Sequence, residues 1–520
     1  MAALLAVLLL VSGVLAAVYT LRSSVVRVVR VSLDLLRARR LTASLPGPSL
    51  FQDGLIPRGG GGAYASMTAL CGAMAKQGSV FRVCVGPMTL VRLAAKSVVY
   101  SALEPLLGRG LATLHGAAWR RHRKAITPSL HLDILRDFVP AFHRHAVGLA
   151  DALLRHDGCV LDVVPLCGHC ANSAIMETVM STDVPDGDEG LREFLGAIPK
   201  AQRAFMLRSG KPWLLIDRVF AFHKRFPEYA RAKAALDGFT SRIIRAKKQA
   251  LANKASRARR RMAFLDHLLQ SEEGASLDDL EIAEEVKTLV SIGSSSSMET
   301  LSLIILTLAI RQDVQQKLWQ PYSHNEFAVF PFGPPLFLNG PPCVVPQEVV
   351  DVLGEDVSRP LTPDDMPHLQ YTECVVKEVL RYYSVVPLFG RRVREDVVLP
   401  SGTLVPRGCQ LMFWLPHVHR SAELFERPDD FDPDRFLPET SRGRHPFAFV
   451  PFSAGPRNCV GQRYAIMFLK AAVAALAPRV RFEVPDDGPR CTQDVPLNLN
   501  LTTNVRGGVK VRVCRRGPSF

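Results

Sequence analysis

A mainly helical fold with small β-sheets is the class that this sequence predicts, on three observations. From Leu93 to about Leu318, apolar residues recur at helical spacing between polar breaks, and the run ends in a long, increasingly apolar helix over Glu281–Arg311. Strand-like alternation is confined to short segments: Ser79–Arg92 around Gly86-Pro87, then Val393–Val405 and Asn498–Val513 beyond Pro387. The chain has 520 residues, is 48% hydrophobic and lacks internal repeats, which suits one large buried core.

At the amino terminus, Met1–Leu21 carries no charged residue. As a helix it spans roughly 30 Å, the thickness of a bilayer core. Arg22, Arg27, Arg30, Arg37, Arg39 and Arg40 follow against a single acid, Asp34. Positive charge after the span keeps the downstream chain cytosolic. A cleaved signal peptide ending at Val14-Leu15-Ala16 is the rival reading; the missing charged leader and the unpaired thiols downstream favour a retained transmembrane helix. Leu45-Pro46-Gly47-Pro48 then breaks any helix. The expected organisation is an anchor at 1–21, a basic and proline-rich linker at 22–48, and a single large domain at 49–520.

The formal net charge is +15. A membrane surface or an acidic protein partner suits that balance. Nucleic acid ranks last, since neither zinc-finger spacing nor a basic region leading into heptads is present. Eleven cysteines, odd in number and scattered, argue for a reducing compartment rather than a disulfide scaffold. Cys167-Gly-His-Cys170 lacks a second pair and reads as two buried free thiols. Pro321–Pro346 does not fit its surroundings. Seven prolines preclude a helix, and a patternless loop of that length is improbable inside a compact domain. It is either a lineage-specific loop or translated non-coding sequence, and we favour the second.

The chemistry is concentrated near the carboxyl end, in Phe452-Ser-Ala-Gly455-Pro-Arg457-Asn-Cys459-Val-Gly461. A cysteine that ligates haem iron does so as a thiolate. Backbone N–H groups in a tight loop stabilise that charge, and glycines at 455 and 461 permit the loop. Arg457 is placed for a haem propionate, Phe452 for packing by the sulfur. Tyr464–Leu469 reads as a helix leaving the loop with its positive end near the thiolate. A buried structural cysteine is the commoner reading of any lone cysteine, but it does not account for five such positions together. Upstream, Glu378-Val-Leu-Arg381 shares one helix face.

The cysteine loop resembles the haem-binding signature of the cytochrome P450 superfamily, and three further motifs fall in that family's order. Glu378 and Arg381 match its buried ion network, whose third member is Arg435 in Phe431-Asp-Pro-Asp-Arg435-Phe436. Trp119-Arg-Arg-His-Arg123 matches the helix whose Trp and Arg meet a propionate, and Arg391 matches another propionate contact. Thr127–Arg136 and His419–Phe425 resemble clan 4 of insects and vertebrates. The resemblance implies the cytochrome P450 fold and haem b with Cys459 as the iron's thiolate ligand. It implies monooxygenation of a fatty acid, related lipid or xenobiotic. Electrons then come from NADPH through cytochrome P450 reductase, with cytochrome b5 as a further partner. The implied location is the endoplasmic reticulum membrane, facing the cytosol. Arg120, Arg121, Arg123, Lys124 and Arg463 are the candidates for a basic reductase-docking face. Substrate contacts are expected around Leu106–Ala118, Val290–Ser297, Val385–Gly390 and Leu499–Thr502.

On the central helix, Gly293 matches the family's glycine and Ser296 its alcohol, in the stretch where the helix opens over the haem. Ser295 stands where the family has Asp or Glu, and serine cannot supply that proton. Ile292 replaces the glutamate that many clan-4 members join covalently to haem. Glu299 lies three residues beyond Ser296; a salt-bridged or partly exposed carboxylate is the favoured reading of it. The departure at Ser295 leaves two alternatives open: a haem-thiolate isomerase or dehydratase of oxygenated lipids, and a catalytically impaired haem-binding pseudo-enzyme.

Overall fold

A computed structural model describes residues 83–85, 88–90, 100, 103–182, 188–211, 214, 216–252, 263–319, 348–354, 359–399, 402 and 404–516. The expected anchor (1–21), linker (22–48) and proline-rich insert (321–346) lie outside them. The helices used below are α1 (Glu104–Leu107), α2 (Gly116–Ile126), α3 (Val139–Leu154), α4 (Val164–Thr178), α5 (Glu189–Gly210), α6 (Phe226–Ala252), α7 (Asp279–Ile310), α8 (Gln370–Tyr383) and α9 (Gln462–Leu476). The strands are β1 (Val83–Val85), β2 (Met88–Leu90), β3 (Val160–Asp162), β4 (Leu388–Arg392), β5 (Val397–Val398), β6 (Leu404–Val405), β7 (Gln410–Trp414), β8 (Val480–Glu483), β9 (Leu497–Leu499), β10 (Thr503–Val505) and β11 (Lys510–Arg515).

These residues fall into two compact units. One is a sheet of order β1-β2-β7-β4. β1 and β2 form the hairpin expected around Gly86-Pro87, with Cys84 opposite Thr89. β4 and β7 are antiparallel, and Phe389 stacks on Phe413 across them with ring centroids 4.7 Å apart. β5 and β6 realise the hairpin expected over Val393–Val405 with two residues each. Val393, Val405, Cys409 and Leu411 bury its core.

The other unit is helical, as the apolar spacing predicts. α7 starts at a capping box, in which Asp278 accepts from the Glu281 N–H and Glu281 returns to the Asp278 N–H. It is long and apolar enough to cross a membrane, yet most of it is buried against α4, α6, α8 and α9, so the core accounts for its composition. α3 packs between α4 and α9, and α5 packs on α6. The Asn498–Val513 expectation needs correction. The hairpin is β9–β10, with Leu499 opposite Thr503, whereas β11 lies between β3 and β8 in a separate sheet. β3 itself was not expected, because three residues are too few for alternation to register.

α8 carries the densest polar core. The Glu378 carboxylate accepts from Arg381 Nε and Nη2, both at 2.7 Å, from Arg435 Nε at 3.1 Å and from the Asp432 N–H at 2.8 Å. Arg381 also donates to the His419, Pro428 and Asp430 carbonyls, and Arg435 to Glu426, Arg427 and Asp430. All three side chains are buried. A buried charge that loses one partner is expensive. Glu378→Ala strands two guanidiniums and is expected to destabilise the protein by about 3–5 kcal/mol. Urea unfolding monitored by fluorescence checks this; a loss under about 1 kcal/mol would mean that the backbone carbonyls alone hold the arginines.

Candidate functional site

The cysteine loop is closed by its own backbone. Ser453 N–H donates to Val450 O, Asn458 N–H to Gly455 O, and Cys459 N–H to Phe452 O at 2.9 Å. Gly455 takes φ +73° and Ser453 φ +62°, the left-handed region that admits glycine freely and serine at a cost. Gly461 precedes α9, which begins two residues earlier and ends seven residues later than the expected Tyr464–Leu469 segment. A Cβ at Gly461 would sit 3.9 Å from the Cys459 sulfur, so the chain passes close to it.

Burial pushes the Cys459 thiol above its ordinary pKa, while the Gly461 N–H and the positive charge of Arg123 pull the other way. By surface area Cys459 is nevertheless exposed, unlike the buried free thiols Cys167 and Cys170. Depth is the better guide, because surface area registers internal hollows as well as bulk water. An interior sulfur with an accessible face, the Gly461 N–H behind it and a cation beside it fits a thiolate that ligates a large planar group. Burial pushes Cys167 up to about 12 and raises Cys170 further, so neither matches that description.

α2 supplies the clamp on this loop. Arg123 donates to Asn458 through both terminal nitrogens, to the backbone carbonyl and to Oδ1, each at 3.0 Å. Arg457 donates to Leu114 O at 2.9 Å and stacks on Trp119, 3.9 Å from the ring centroid. The structure thus brings together Trp119, Arg123, Arg457 and Cys459. Phe452 contributes its carbonyl and is half-buried. Arg391 lies on β4 in the sheet unit, its guanidinium over Phe389 at 5.0 Å.

α2 is bound to α7 by a cluster that the sequence reading missed. His122 Nδ1 lies 2.6 Å from Glu285 Oε1 and Nε2 lies 3.3 Å from Glu281 Oε1; Arg121 also pairs with Glu281. Both ring nitrogens face carboxylate oxygens, so both carry protons. Burial alone would lower the His122 pKa, but the two carboxylates more than offset it and the net shift is upward. The available signal was Glu281 and Glu285 at i,i+4 opposite a histidine inside the Trp119–Arg123 motif.

Along α7, Gly293, Ser295 and Ser296 fall on an unbroken helix. The expected opening is absent. Ser294 bonds Val290 O, Ser295 bonds Ile292 O at 3.2 Å, Ser296 approaches Gly293 O at 3.4 Å and Thr300 bonds Ser296 O at 2.7 Å. These hydroxyls fold back on their own helix. Glu299 also differs from expectation. It is buried and forms no ion pair among the described residues. A cavity is lined by Leu106, Ile198, Leu236, Ser291, Ile292 and Leu501. Three of the expected substrate segments meet there, while 385–390 does not contribute. The α5 and α6 walls carried no local signal.

Three comparisons bear on this geometry. The family model described as Cytochrome P450 matches residues 77–323 and 344–509. The chain is a cytochrome P450. Cytochrome P450 4V2 of Homo sapiens is 32% identical over 438 residues, covering 81% of this chain and 76% of that one. Probable cytochrome P450 4s3 of Drosophila melanogaster is 31% identical over 513 residues, covering 93% and 94%. Cytochrome P450 4c3 of the same fly is 30% identical, covering 81% and 76%. These relatives place the chain in clan 4 of the superfamily, as a haem monooxygenase. The crystal structure of the cytochrome P450DA heme domain shares the fold, with a TM-score of 0.68 at 19% identity, covering 87% of this chain and 93% of that one. The family match breaks over 324–343, inside the proline-rich insert.

The His122 cluster predicts a pH dependence of stability. A histidine whose pKa is raised on folding stabilises fully below its unfolded value of 6.5, and that contribution fades as pH rises through the higher folded value. A His122→Gln, Glu285→Gln double variant keeps the shape and removes both charges. Unfolding free energies from pH 6 upward should show the parent losing stability relative to the variant; a constant difference would mean that His122 is neutral in the fold.

Proposed function

We propose that this cytochrome P450 oxidises a small lipophilic substrate, a fatty acid, related lipid or xenobiotic, at a haem b held by the Cys459 thiolate. The Phe452–Gly461 loop carries the reading, because it presents a single interior sulfur with the Gly461 N–H behind it. Haem held in this way supplies dioxygen activation, one oxygen entering a C–H bond and the other leaving as water. Gly455 and Gly461 let the loop close on the sulfur. Arg123 holds the loop through Asn458. Trp119, Arg457 and Arg391 are assigned to the porphyrin's edge and propionates. Glu378, Arg381 and Arg435 hold the backbone that leads to the loop. Gly293 and Ser296 are assigned to the oxygen side, with Ser296 as the hydroxyl that hydrogen-bonds dioxygen and Ser295 as a neutral neighbour. The apolar cavity excludes water and favours a lipophilic ligand.

Electrons come from NADPH through cytochrome P450 reductase, with cytochrome b5 as a second donor. Residues 1–21 anchor the chain in the endoplasmic reticulum membrane, 22–48 link it, and the domain from 49 faces the cytosol. Arg120, Lys124 and Arg463 are exposed and remain the better part of a docking face; Arg121 is committed to Glu281 and Arg123 to Asn458. Lys124→Glu should raise the KM for the reductase, and added salt should shrink that difference. A KM that does not move would remove Lys124 from the face.

Ser295 favours a second reading: an isomerase or dehydratase of oxygenated lipids, which needs no external electrons. The reduced carbon monoxide difference spectrum of the purified protein should show a thiolate-type band that Cys459→Ala abolishes. An unchanged spectrum in that variant would end the assignment. Turnover of a fatty acid with reductase and NADPH supports monooxygenation; turnover of a lipid hydroperoxide without them supports the second reading.

A further inference from the structure

One buried acid is left without a role. Glu299 sits on α7 with 5% of its surface exposed, and its hydrogen-bond partner is the Asn504 side chain on β10. No cation faces it. The ionisable groups nearby are the Asp162 carboxylate of β3 and the Cys167 thiol of α4. Burying a carboxylate without a cation favours its neutral form. Burial pushes the Glu299 pKa up to about 7; Asn504 pulls against the rise and Asp162 adds to it. The side chain therefore carries a proton over much of the neutral range, as a structural salt-bridging carboxylate would not.

Its place on the helix matters as much. Side chains on an α-helix tilt toward the amino terminus and cover the residues three and four positions back. For Glu299 those are Ser296 and Ser295. The first is the alcohol assigned to the oxygen side. The second is the position without an acid, and its short side chain is turned to Ile292 O. A carboxyl-bearing residue thus stands one helical turn beyond the position that lacks an acid, with its carboxyl group hydrogen-bonded to the Asn504 side chain.

We propose that Glu299 is the proton source for oxygen cleavage in this chain, acting through the Ser296 hydroxyl in place of an acid at residue 295. The proposal rests on the haem-thiolate reading above. Overall, substrate RH, dioxygen, two electrons from the reductase and two protons give ROH and water. The Glu299 Oε–H bond breaks and its proton passes to Ser296 Oγ. The Ser296 hydroxyl proton moves on to the reduced dioxygen in the same step. Glu299 is left as a carboxylate, recovers a proton from solvent along the half-buried edge at Asn504, and repeats the transfer for the second proton. It does not touch the reacting atoms and is a positioning and relay residue. Without it, cleavage slows and the two-electron-reduced oxygen takes both protons from solvent water and departs as hydrogen peroxide.

The test is peroxide released per NADPH oxidised, measured with reductase in the holoenzyme across pH, in the parent, E299Q and the S295D/E299Q double variant. E299Q keeps the shape and a hydrogen bond to Asn504 but has no acidic proton. The parent should release more peroxide as pH rises through about 7, where the acid form is lost. E299Q should release about tenfold more than the parent at pH 6.5, with no such pH dependence, in line with the usual size of general acid effects. The double variant should return toward the parent. Infrared titration supplies a readout apart from turnover: a protonated-carboxyl band that titrates near neutrality and is missing from E299Q. Equal peroxide yields in E299Q and parent would overturn the proposal, as would a double variant no better than E299Q, or an infrared band that survives in E299Q. An E299Q protein with a weakened carbon monoxide band would reveal a structural role and also overturn it. A parent lacking that band defeats the haem reading instead, and the infrared titration alone then decides whether Glu299 is a buried neutral acid.

Discussion

Three buried charges around Glu378 constrain the rest of the structure. One carboxylate faces two guanidiniums, and the excess positive charge is met by backbone carbonyls from five residues between His419 and Asp430. A burial of this kind tolerates few alternative backbone paths, because each moved carbonyl strands a donor. The consequence reaches the cysteine loop through His419. Its Nε2 accepts from the Val450 N–H at 3.1 Å, and its Nδ1 faces the Ser384 hydroxyl at 3.2 Å. Burial, and then the charge on Arg381, push the His419 pKa down to about 3, so the ring stays neutral and keeps a lone pair for Val450. The path from α8 to the sulfur is therefore a chain of satisfied hydrogen bonds.

α7 meets a different problem: beyond the charged cluster of its first two turns, it carries many neutral hydroxyl side chains in a buried stretch. Ser294, Ser295 and Thr300 solve this locally, their hydroxyls bonding carbonyls three or four residues back. The solution keeps the helix continuous and leaves no ionisable group at 295. Glu299 is the exception, a side chain too long and too acidic to be satisfied by its own helix. It turns to β10, the strand that follows the cavity-lining Leu501. Chemistry and local satisfaction thus separate along one helix face within two turns.

What was legible in the sequence was contiguous. The cysteine loop and α7 each occupy one stretch in which residue type and spacing carry the physical argument, and the Glu378–Arg381 pair gains its meaning from its order relative to that loop. Arg435 was legible only through the resemblance, which implies a third member for the Glu378–Arg381 network and places it in Phe431–Phe436. Distant pairings left no such trace. β3 meets β11 across about 350 residues and offers three of its own. The cavity walls on α5 and α6 are ordinary apolar helix positions. Arg123 reaches Asn458 rather than solvent only because α2 lies beside the loop. Glu299 was misjudged because most glutamates on helices are paired or wet, and burial cannot be read from one residue.

The proline-rich insert can be weighed by its flanks. The helices Gln312–Trp319 and Glu348–Leu353 on either side of it pack against each other. Glu348 accepts from the Tyr371 and Thr372 N–H groups at the start of α8, the latter at 2.6 Å, fixing the point of return. The free-energy cost of closing a longer loop between fixed ends grows only with the logarithm of its length. An insertion there leaves α8, and with it Glu378 and Arg381, where the helix-to-helix contact already puts them. The family match resumes at residue 344, before the insert ends. The contacts that fix the start of α8 thus lie within the described residues on either side of the insert.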